Sequence, residues 1–262
     1  MSDIVTIPVE VSTRAPSGRT NTYLVGDDPA VLVDPAARSD ELDAAVAERS
    51  VGHIVVTHTH RDHVGAVGDY AAETDATVWA RHGRTDRFVE ATGVTPDGTL
   101  RDGETLPNTA VTAVETPGHA PEHLAFESGA GLVCGDLAVD EGSVVVGRPE
   151  GDLRAYLGSL RRVYAREPDR LFPGHGPTID DPSATCQRLI QHRLDREERV
   201  LAAVENEAAR LESVLDAAYD KDLTGVRDLA LRTVECHLRK LVVEDRIRWD
   251  GREIEPRGTD DG

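Results

Sequence analysis

The stretch VVTHTHRDHVGAVGDY, Val55–Tyr70, gathers three histidines and a carboxylate into six residues: His58, His60, Asp62 and His63. It follows directly on an apolar run, and loops at strand ends hold functional side chains on a rigid frame. In an extended segment, alternating residues point the same way, so His58 and His60 face one side together. Imidazole and carboxylate are ligands that zinc prefers. The stretch therefore predicts a metal site, and four such side chains so close together favour two metals.

A second metal requires further ligands, and three downstream motifs supply them. His119 follows a Pro-Gly turn in ETPGHAPEH, Asp136 ends the apolar run LVCGDLAV, and His175 lies between two glycines in LFPGHGP. A carboxylate at the end of a buried strand needs a compensating charge, which a metal provides. These residues complete the predicted site. His123, four residues after His119, is left out of it, and Cys134 is interpreted as a thiol of the core.

The ordered motifs HxHxDH, a lone His, an Asp and GHG resemble those of the metallo-β-lactamase superfamily of metal-dependent hydrolases over residues 1–180. That resemblance implies an αββα sandwich with the metals at one edge. It also implies two ligand sets and a bridging residue: His58, His60 and His119 for one metal, Asp62, His63 and His175 for the other, and Asp136 between them.

The resemblance implies two further roles. Asp34 in LVDPA would support the ligands from behind. Asp62 would be catalytic as well as a ligand, because it would orient the nucleophile and pass a proton to the leaving group. Two zinc ions are the expected cofactors, although iron or manganese suits the same ligands.

The rest of the chain predicts a layered α/β or α+β domain followed by a smaller one. Two helices are expected, one in SDELDAAVAERS after the cap Ser39 and one in GDLRAYLGSLRRVYARE. Short β-branched runs between turn residues predict the strands: IVTIPVEV, TYLVG, AVLVDP, HIVVTH, TVWA, TAVTAVETP, HLAFES, GLVCGD, SVVVG and RLFPGHG.

From residue 181 the pattern becomes helical. Three amphipathic helices and a hairpin around Asp250-Gly251 follow one another, which is the order of a winged-helix module. We therefore expect a metallo-β-lactamase-like hydrolase domain over residues 1–180 and a winged-helix-like domain over residues 181–262.

Composition limits the partners and the setting. The 262 residues carry a formal net charge of −19, and only two of the 29 basic residues are lysines. This acidic, lysine-poor composition resembles that of proteins from extreme halophiles, whose self-repulsion salt relieves. Three cysteines without a CxxC pair predict a reducing interior. Without a leader-like start or a long apolar run, a cytoplasmic protein with no membrane partner is expected.

The substrate class stays open between two main alternatives. The tail pattern resembles the β-lactamase-like protein 2 group, which includes a single-stranded-RNA endoribonuclease and thioesterases of polyketide pathways. Residues 221–252 carry eight basic side chains, Lys221 among them, against six acidic ones. LRK and RIRW within this segment could touch the phosphates of RNA. We favour the other interpretation, in which the tail only shapes the mouth of the site and the substrate is a small ester or thioester.

DNA is not an expected partner. Two weaker alternatives for the function remain. Glyoxalase II-like hydrolysis of a hydroxyacyl thioester fits THTHRDH, but Gly65-Ala66-Val67-Gly68 stands where that family has a Gly-Gly pair. A regulator with a vestigial site is disfavoured by the intact set of metal-binding residues.

Overall fold

The computed structural model describes residues 3–220 and 222–257, which form twelve strands and eight helices. Lys221 lies outside the described residues. The strands β1 to β12 are Ile4–Glu10, Arg19–Val25, Ala30–Val33, Val51–Val55, Thr77–Arg81, Gly98–Leu100, Thr112–Glu115, Leu124–Ser128, Gly131–Gly135, Leu171–Pro173, Ile247–Trp249 and Ile254–Pro256. The helices α1 to α8 are Asp40–Ala47, Arg61–Val64, Val67–Glu73, Thr85–Thr92, Leu153–Arg166, Pro182–Glu205, Leu211–Ala218 and Arg227–Val243.

Two sheets form the centre of the molecule. One has six strands in the order β1-β2-β3-β4-β5-β6, antiparallel up to β3 and parallel from there on. The other has four strands in the order β10-β9-β8-β7. Successive side chains of a strand point to opposite faces. In β3, Val31 and Val33 therefore face the space between the sheets, whereas Ala30 and Leu32 pack on the outer face.

Helices cover both outer faces, so the layers are αββα, as the resemblance implied. Leu42, Tyr70 and Phe88 bring α1, α3 and α4 onto the six-stranded sheet. Tyr156 and Leu160 bring α5 onto the four-stranded sheet. Burying these apolar faces on both sides of each sheet is the main stabilising contribution to the sandwich.

Both helices predicted in the first 180 residues are present, and Ser39 caps the first as expected. Ser39 Oγ accepts a hydrogen bond from the Leu42 amide at 3.2 Å at the start of α1. Asp152 caps α5 by accepting from the amides of Arg154 and Ala155. Such caps satisfy amide groups that a helix start leaves without partners.

One predicted strand is wrong, and one strand was not predicted. SVVVG, residues 143–147, is an irregular loop and not a strand. Its carbonyl groups bond to side chains, since Arg193 donates to the Val144 carbonyl and His119 contacts the Val145 carbonyl. Strand β6 was not predicted, because three residues are too few to form a pattern.

The C-terminal segment has the predicted order of three helices and a hairpin, in which β11 pairs with β12. Val200, Leu215, Leu238 and Ile247 belong to a core of its own. The first half of α6 packs instead against the α5 layer through Cys186. The winged-helix assignment and the boundary at residue 181 stay predictions. Within residues 3–220 and 222–257, none of the helices has the length and apolarity to span a membrane.

Candidate metal centre

The predicted ligands converge at one edge of the two sheets, each on a segment that follows a strand. The segment after β4 contributes four of them, two in the loop and two in α2, which begins at Arg61. Segments after β7, β9 and β10 contribute the others. The seven residues fall into three overlapping groups of potential ligands: His58, His60 and His119; His58, His63 and Asp136; and Asp62, His63 and His175.

The first group consists of three imidazole nitrogens directed at one point. His60 Nδ1 lies 3.0 Å from His58 Nε2 and 2.9 Å from His119 Nε2. Nitrogen ligands of a tetrahedral zinc ion, each about 2.0–2.1 Å from the metal, lie about 3.3 Å apart. The observed spacing is therefore close to the one that a zinc ion requires.

Asp136 lies between the first group and the third. Its Oδ2 is 3.5 Å from His119 Nε2, and its Oδ1 is 3.7 Å from His63 Nε2 and 3.5 Å from His175 Nε2. Asp62 Oδ2 closes the third group at 3.7 Å from His175 Nε2. One carboxylate thus offers an oxygen to each group, which is the arrangement needed to bridge two metals.

Each of the five histidines is oriented by a contact on the ring nitrogen that faces away from the centre. Such contacts fix the tautomer and leave the other nitrogen for a metal. The contacts are His58 Nδ1 to Thr57 Oγ1 at 3.1 Å, His60 Nε2 to Glu150 at 2.9 Å, His63 Nδ1 to Asp34 at 2.9 Å, His119 Nδ1 to the Val145 carbonyl at 2.6 Å, and His175 Nδ1 to the Arg19 carbonyl at 2.8 Å.

Asp34 lies fully buried behind the centre and contacts more than one element. Its carboxylate accepts from the Thr57 amide at 2.5 Å and from the Thr57 hydroxyl at 2.6 Å, besides contacting His63. Its φ of +51° is unusual for a residue other than glycine. Such backbone strain persists only where the surroundings impose it, and it occurs mostly at functional sites.

Electrostatics at the centre favour a cation. Burial raises the pKa of the Asp136 carboxyl, but the imidazoles of His63 and His119 outweigh it and hold that pKa well below its ordinary value. Burial, reinforced by the neighbouring imidazoles, lowers the pKa of His58 well below its usual range. A carboxylate and a neutral imidazole are the states in which these groups bind metal.

The residues at the centre leave space for metals, and they leave two potential ligand atoms without hydrogen-bond partners. His63 Nε2 and Asp136 Oδ1 are buried and have no hydrogen-bond partner among the described residues, although buried polar atoms are normally paired. Gly174 keeps the space beside them open. A Cβ there would lie 2.6 Å from Asp136 Oδ1 and 2.7 Å from His63 Cε1. The site therefore fits the metals that its chemistry implies.

Comparison with known proteins agrees with this geometry. The family model described as the metallo-beta-lactamase superfamily matches residues 15–175. The chain belongs to the metallo-β-lactamase superfamily. It is 32% identical over 252 residues to a beta-lactamase-like protein 2 homolog of Drosophila melanogaster, an alignment that covers 87% of this chain and 84% of the fly protein.

Two further proteins are similar to this chain. A metallo-beta-lactamase family protein from Thermus thermophilus aligns with a TM-score of 0.79 and 22% identity, over 97% of this chain and 98% of that one. Thioesterase pkgB of Emericella nidulans is 31% identical over 194 residues, which are 70% of this chain and 53% of the fungal protein.

The sequence did not reveal a chain of contacts that connects this superfamily site to α4. Glu150, which contacts His60, also accepts from Arg87 at 2.5 Å. Arg87 donates to Glu122 at 2.8 Å, and Glu122 accepts from the Thr59 hydroxyl at 2.5 Å. The hydrogen bonds from His60 and Arg87 lower the pKa of Glu150 to about 2, although burial opposes them. These residues lie so far apart in the sequence that motif spacing could not indicate their contacts.

Two polar residues near the N-terminus were also missed. Thr13 donates its hydroxyl hydrogen to Asp62 Oδ2 at 2.5 Å and so holds that carboxylate in place. The buried Asn21 side chain donates to the carbonyls of Pro173 and Gly176 at 2.9 and 2.8 Å, which secures the loop that carries His175. In the sequence both look like ordinary turn or strand residues.

Two residues left outside the predicted ligand set are buried. The His123 ring stacks on His58 with centroids 5.3 Å apart, and its Nδ1 contacts the Thr116 hydroxyl at 2.8 Å. Burial lowers the pKa of His123 to about 3, so its ring is neutral. Cys134 is fully buried, and burial raises the pKa of its thiol well above the ordinary value. It therefore stays protonated, as expected of a core thiol.

A cavity of about 670 Å³ opens onto the centre. His60, Asp62, His119, Asp136 and His175 lie at its base. Its walls come from three segments: residues 13–16, the loop 139–150, and the first turns of α8. The C-terminal segment therefore forms part of the mouth of the site.

Proposed function

We propose that this protein is a metal-dependent hydrolase that uses two metal ions to cleave a small ester or thioester. The observation that carries the proposal is the cavity, which joins both predicted ligand groups to a largely apolar wall. His58, His60 and His119 would hold one ion, Asp62, His63 and His175 the other, and Asp136 both. Zinc is the proposed metal, and iron or manganese suits the same nitrogen and oxygen donors.

The proposed division of labour follows from the contacts of the side chains. Metals in such a site activate water and polarise the scissile carbonyl. Asp62 Oδ2 accepts from Thr13, which leaves Oδ1 to take a proton from the nucleophile and return it to the leaving group. Glu150 and Asp34 keep His60 and His63 directed at the centre. The apolar wall excludes water around the acyl group.

The lining of the cavity supports an acyl substrate over RNA. Val139, Val145, Pro149 and Leu229 give it apolar surface, and no phenylalanine, tyrosine or tryptophan of the described residues lines it. Single-stranded RNA is usually bound by stacking its bases on aromatic rings. The name thioesterase pkgB of a relative also favours a thioester.

The basic tail segment offers less to RNA than its composition suggests. Lys240 is 9% exposed and donates to Glu197 at 2.6 Å and to Glu244 at 2.7 Å. Arg227 lies 2.7 Å from Asp216. Residues 181–262 are therefore proposed as a module that shapes the mouth of the site in residues 1–180.

The test combines metal content with hydrolysis in molar KCl. Wild-type protein should bind two metal equivalents and cleave acyl thioesters, and His58→Ala should lose metal and activity. His82→Ala, an exposed histidine in the turn after β5, is the matched control and should retain both. A labelled single-stranded RNA is tested in parallel. Full metal content in His58→Ala contradicts the ligand assignment, and RNA cleavage that His58→Ala abolishes contradicts the acyl substrate.

A further inference from the structure

The rim of the cavity carries three arginines although the molecule as a whole is acidic. Arg14, Arg148 and Arg232 all line it, in a chain whose formal net charge is −19. Each comes from a different segment: the loop after β1, the loop before α5, and α8. Glu141 and Glu150 line the same cavity, so the availability of each arginine depends on its own contacts.

Two of these arginines have donors that the protein does not satisfy. Arg232 is exposed and has no ion pair or side-chain hydrogen bond among the described residues. Arg148 Nε is buried without a hydrogen-bond partner in residues 3–220 and 222–257, and Glu235 is 4.0 Å away. Arg14 differs, since it lies 3.3 Å from Asp228. The Arg148 side chain as a whole is 41% exposed and lines the cavity, so it is accessible to an acceptor that enters there.

The backbone holds Arg148 and Arg232 side by side. The Arg148 amide donates to the Arg232 carbonyl at 3.2 Å. A Cβ on Gly147 would lie only 3.0 Å from the Cβ of Arg232, so the loop packs directly on α8. Leu229, one turn before Arg232 on the same helix, also lines the cavity. An apolar contact and a guanidinium group therefore lie on one face of α8.

The nearby carboxylates leave Arg232 without an ion pair among the described residues, whereas Arg148 Nε lies 4.0 Å from Glu235. Glu150 is engaged by Arg87 and His60, and Glu235 lies 3.8 Å from Arg239 on the next turn of α8. A guanidinium group binds carboxylate or phosphate through paired, charge-assisted hydrogen bonds.

We propose that the substrate carries an anionic group, a carboxylate or a phosphate, at the end that points away from the metal centre, and that Arg232 and Arg148 bind it. Leu229 and Val145 line the same cavity and would contact the apolar part of such a substrate. Arg232 is thus a specificity-determining residue that the C-terminal helix contributes to the site. The inference rests on the proposed function, because it names the substrate class of the same cavity.

The first test compares three thioesters of one acyl length with metal-loaded protein. One is neutral at both ends, one carries a carboxylate at the end of the acyl chain, and one carries phosphates on the thiol as coenzyme A does. Wild-type protein should prefer one of the anionic thioesters, and which one identifies the source of the charge. Arg232→Gln should lower kcat/KM for that thioester about 10- to 100-fold, mainly through KM, and leave the neutral one unchanged.

Matched variants separate a specific role from a general loss of charge. Arg248→Gln removes an exposed arginine on β11, away from the cavity, and should change none of the three rates. Arg232→Lys keeps the charge and should restore part of the preference. Equal hydrolysis of neutral and anionic thioesters by wild-type protein, or equal losses in Arg232→Gln for all three, overturns the inference and leaves the proposed function standing.

A binding measurement makes the inference independent of turnover. Unreactive thioether analogues of the three compounds are titrated calorimetrically into wild-type protein and Arg232→Gln. Wild-type protein should bind an anionic analogue preferentially, and Arg232→Gln should lose this preference. That outcome supports the anion site even if no thioester is cleaved. The absence of cleavage would refute only the proposed function. Equal affinities for all three analogues overturn the inference. If an RNA oligonucleotide displaces the analogue and the protein then cleaves that RNA, the assignment to a small acyl substrate is wrong.

Discussion

The geometry of the candidate metal centre is set at the scale of single residues by close packing of glycine and by hydrogen bonds behind the histidines. Gly174 lets the loop after β10 pass directly beside Asp136 and His63. Glu150 and Asp34 each orient an imidazole from behind. The geometry of the site therefore depends on residues that would never touch a metal.

Gly174→Ala should disrupt the centre without unfolding the protein. Its Cβ would lie 2.6 Å from Asp136 Oδ1, closer than the atoms can approach, so the bridging carboxylate must move. We expect metal content to fall from two equivalents to one or fewer, measured by elemental analysis. Gly158→Ala, on α5 with nothing within 4 Å of the added Cβ, is the control and should bind metal as the wild type does. Unchanged metal content in Gly174→Ala would refute the assignment.

Glu150→Gln should weaken metal binding by about 10- to 100-fold, the usual effect of losing a partner behind a ligand. The amide cannot hold both His60 and Arg87 as the carboxylate does. Affinity is measured by competition with a chromogenic chelator. Glu90→Gln on α4, an exposed glutamate, should have wild-type affinity. If the two variants bind metal equally well, His60 does not depend on Glu150.

Residue types at strand ends predicted which side chains meet, and the structure brings all seven together, although their role as ligands stays a prediction. The partners behind them were not predictable. Glu150 is 90 residues from His60, and Arg87 is 63 residues from Glu150. Acidic and basic residues are frequent throughout this chain, so only the folded arrangement distinguishes these from residues on the solvated surface.

At the scale of elements, α8 joins two environments. Leu229 and Arg232 near its start line the cavity, whereas Val234 and Leu238 pack in the C-terminal core. Lys240 near its end is buried between Glu197 of α6 and Glu244. The helix is therefore anchored at its far end by a charged contact and is exposed to substrate at its near end.

Lys240→Ala should destabilise the protein by at most about 3–5 kcal/mol, because it leaves the Glu197 side chain, which is only 14% exposed, without its lysine. Chemical unfolding followed by circular dichroism measures the loss. Arg248→Ala, an exposed basic residue of the same segment, should change stability by less than about 0.5 kcal/mol. Equal effects of the two substitutions would mean that the Lys240 contact is no stronger than a surface ion pair.

Elements with a clear pattern were predictable, and those shaped by tertiary contacts were not. β-branched runs bounded by turn residues became strands, except SVVVG, where side chains of Arg193 and His119 occupy carbonyls that a neighbouring strand would otherwise use. Sequence shows the propensity of such a run but not the partners of its backbone. The short β6 exists because it pairs with β5, which again is a tertiary contact.

At the scale of the whole molecule, the excess of acidic groups acts on stability. A formal net charge of −19 destabilises the compact state through self-repulsion. Ion pairs such as Arg14 with Asp228 lie on the surface, and exposed pairs of this kind contribute little. The origin in an extreme halophile stays a prediction.

The thermal midpoint should rise steeply as KCl increases from about 0.05 to about 0.5 M and then flatten, because the screening length falls from about 10 Å at 0.1 M to about 3 Å at 1 M. Differential scanning fluorimetry at fixed metal concentration follows it. Sucrose, which stabilises by exclusion from the surface without screening, is the control and should not reproduce the steep phase. A midpoint that does not depend on KCl would contradict the importance of self-repulsion.

The division of the site between two parts of the chain has a consequence for the evolution of the protein. Every residue proposed to hold a metal lies at or before His175, whereas Leu229 and Arg232 reach the cavity from α8. Mutation or recombination confined to the last third of the gene would alter the opening while the reaction chemistry is inherited unchanged. Related proteins that share the same histidines and aspartates can therefore evolve different substrate specificities while the proposed metal ligands stay the same.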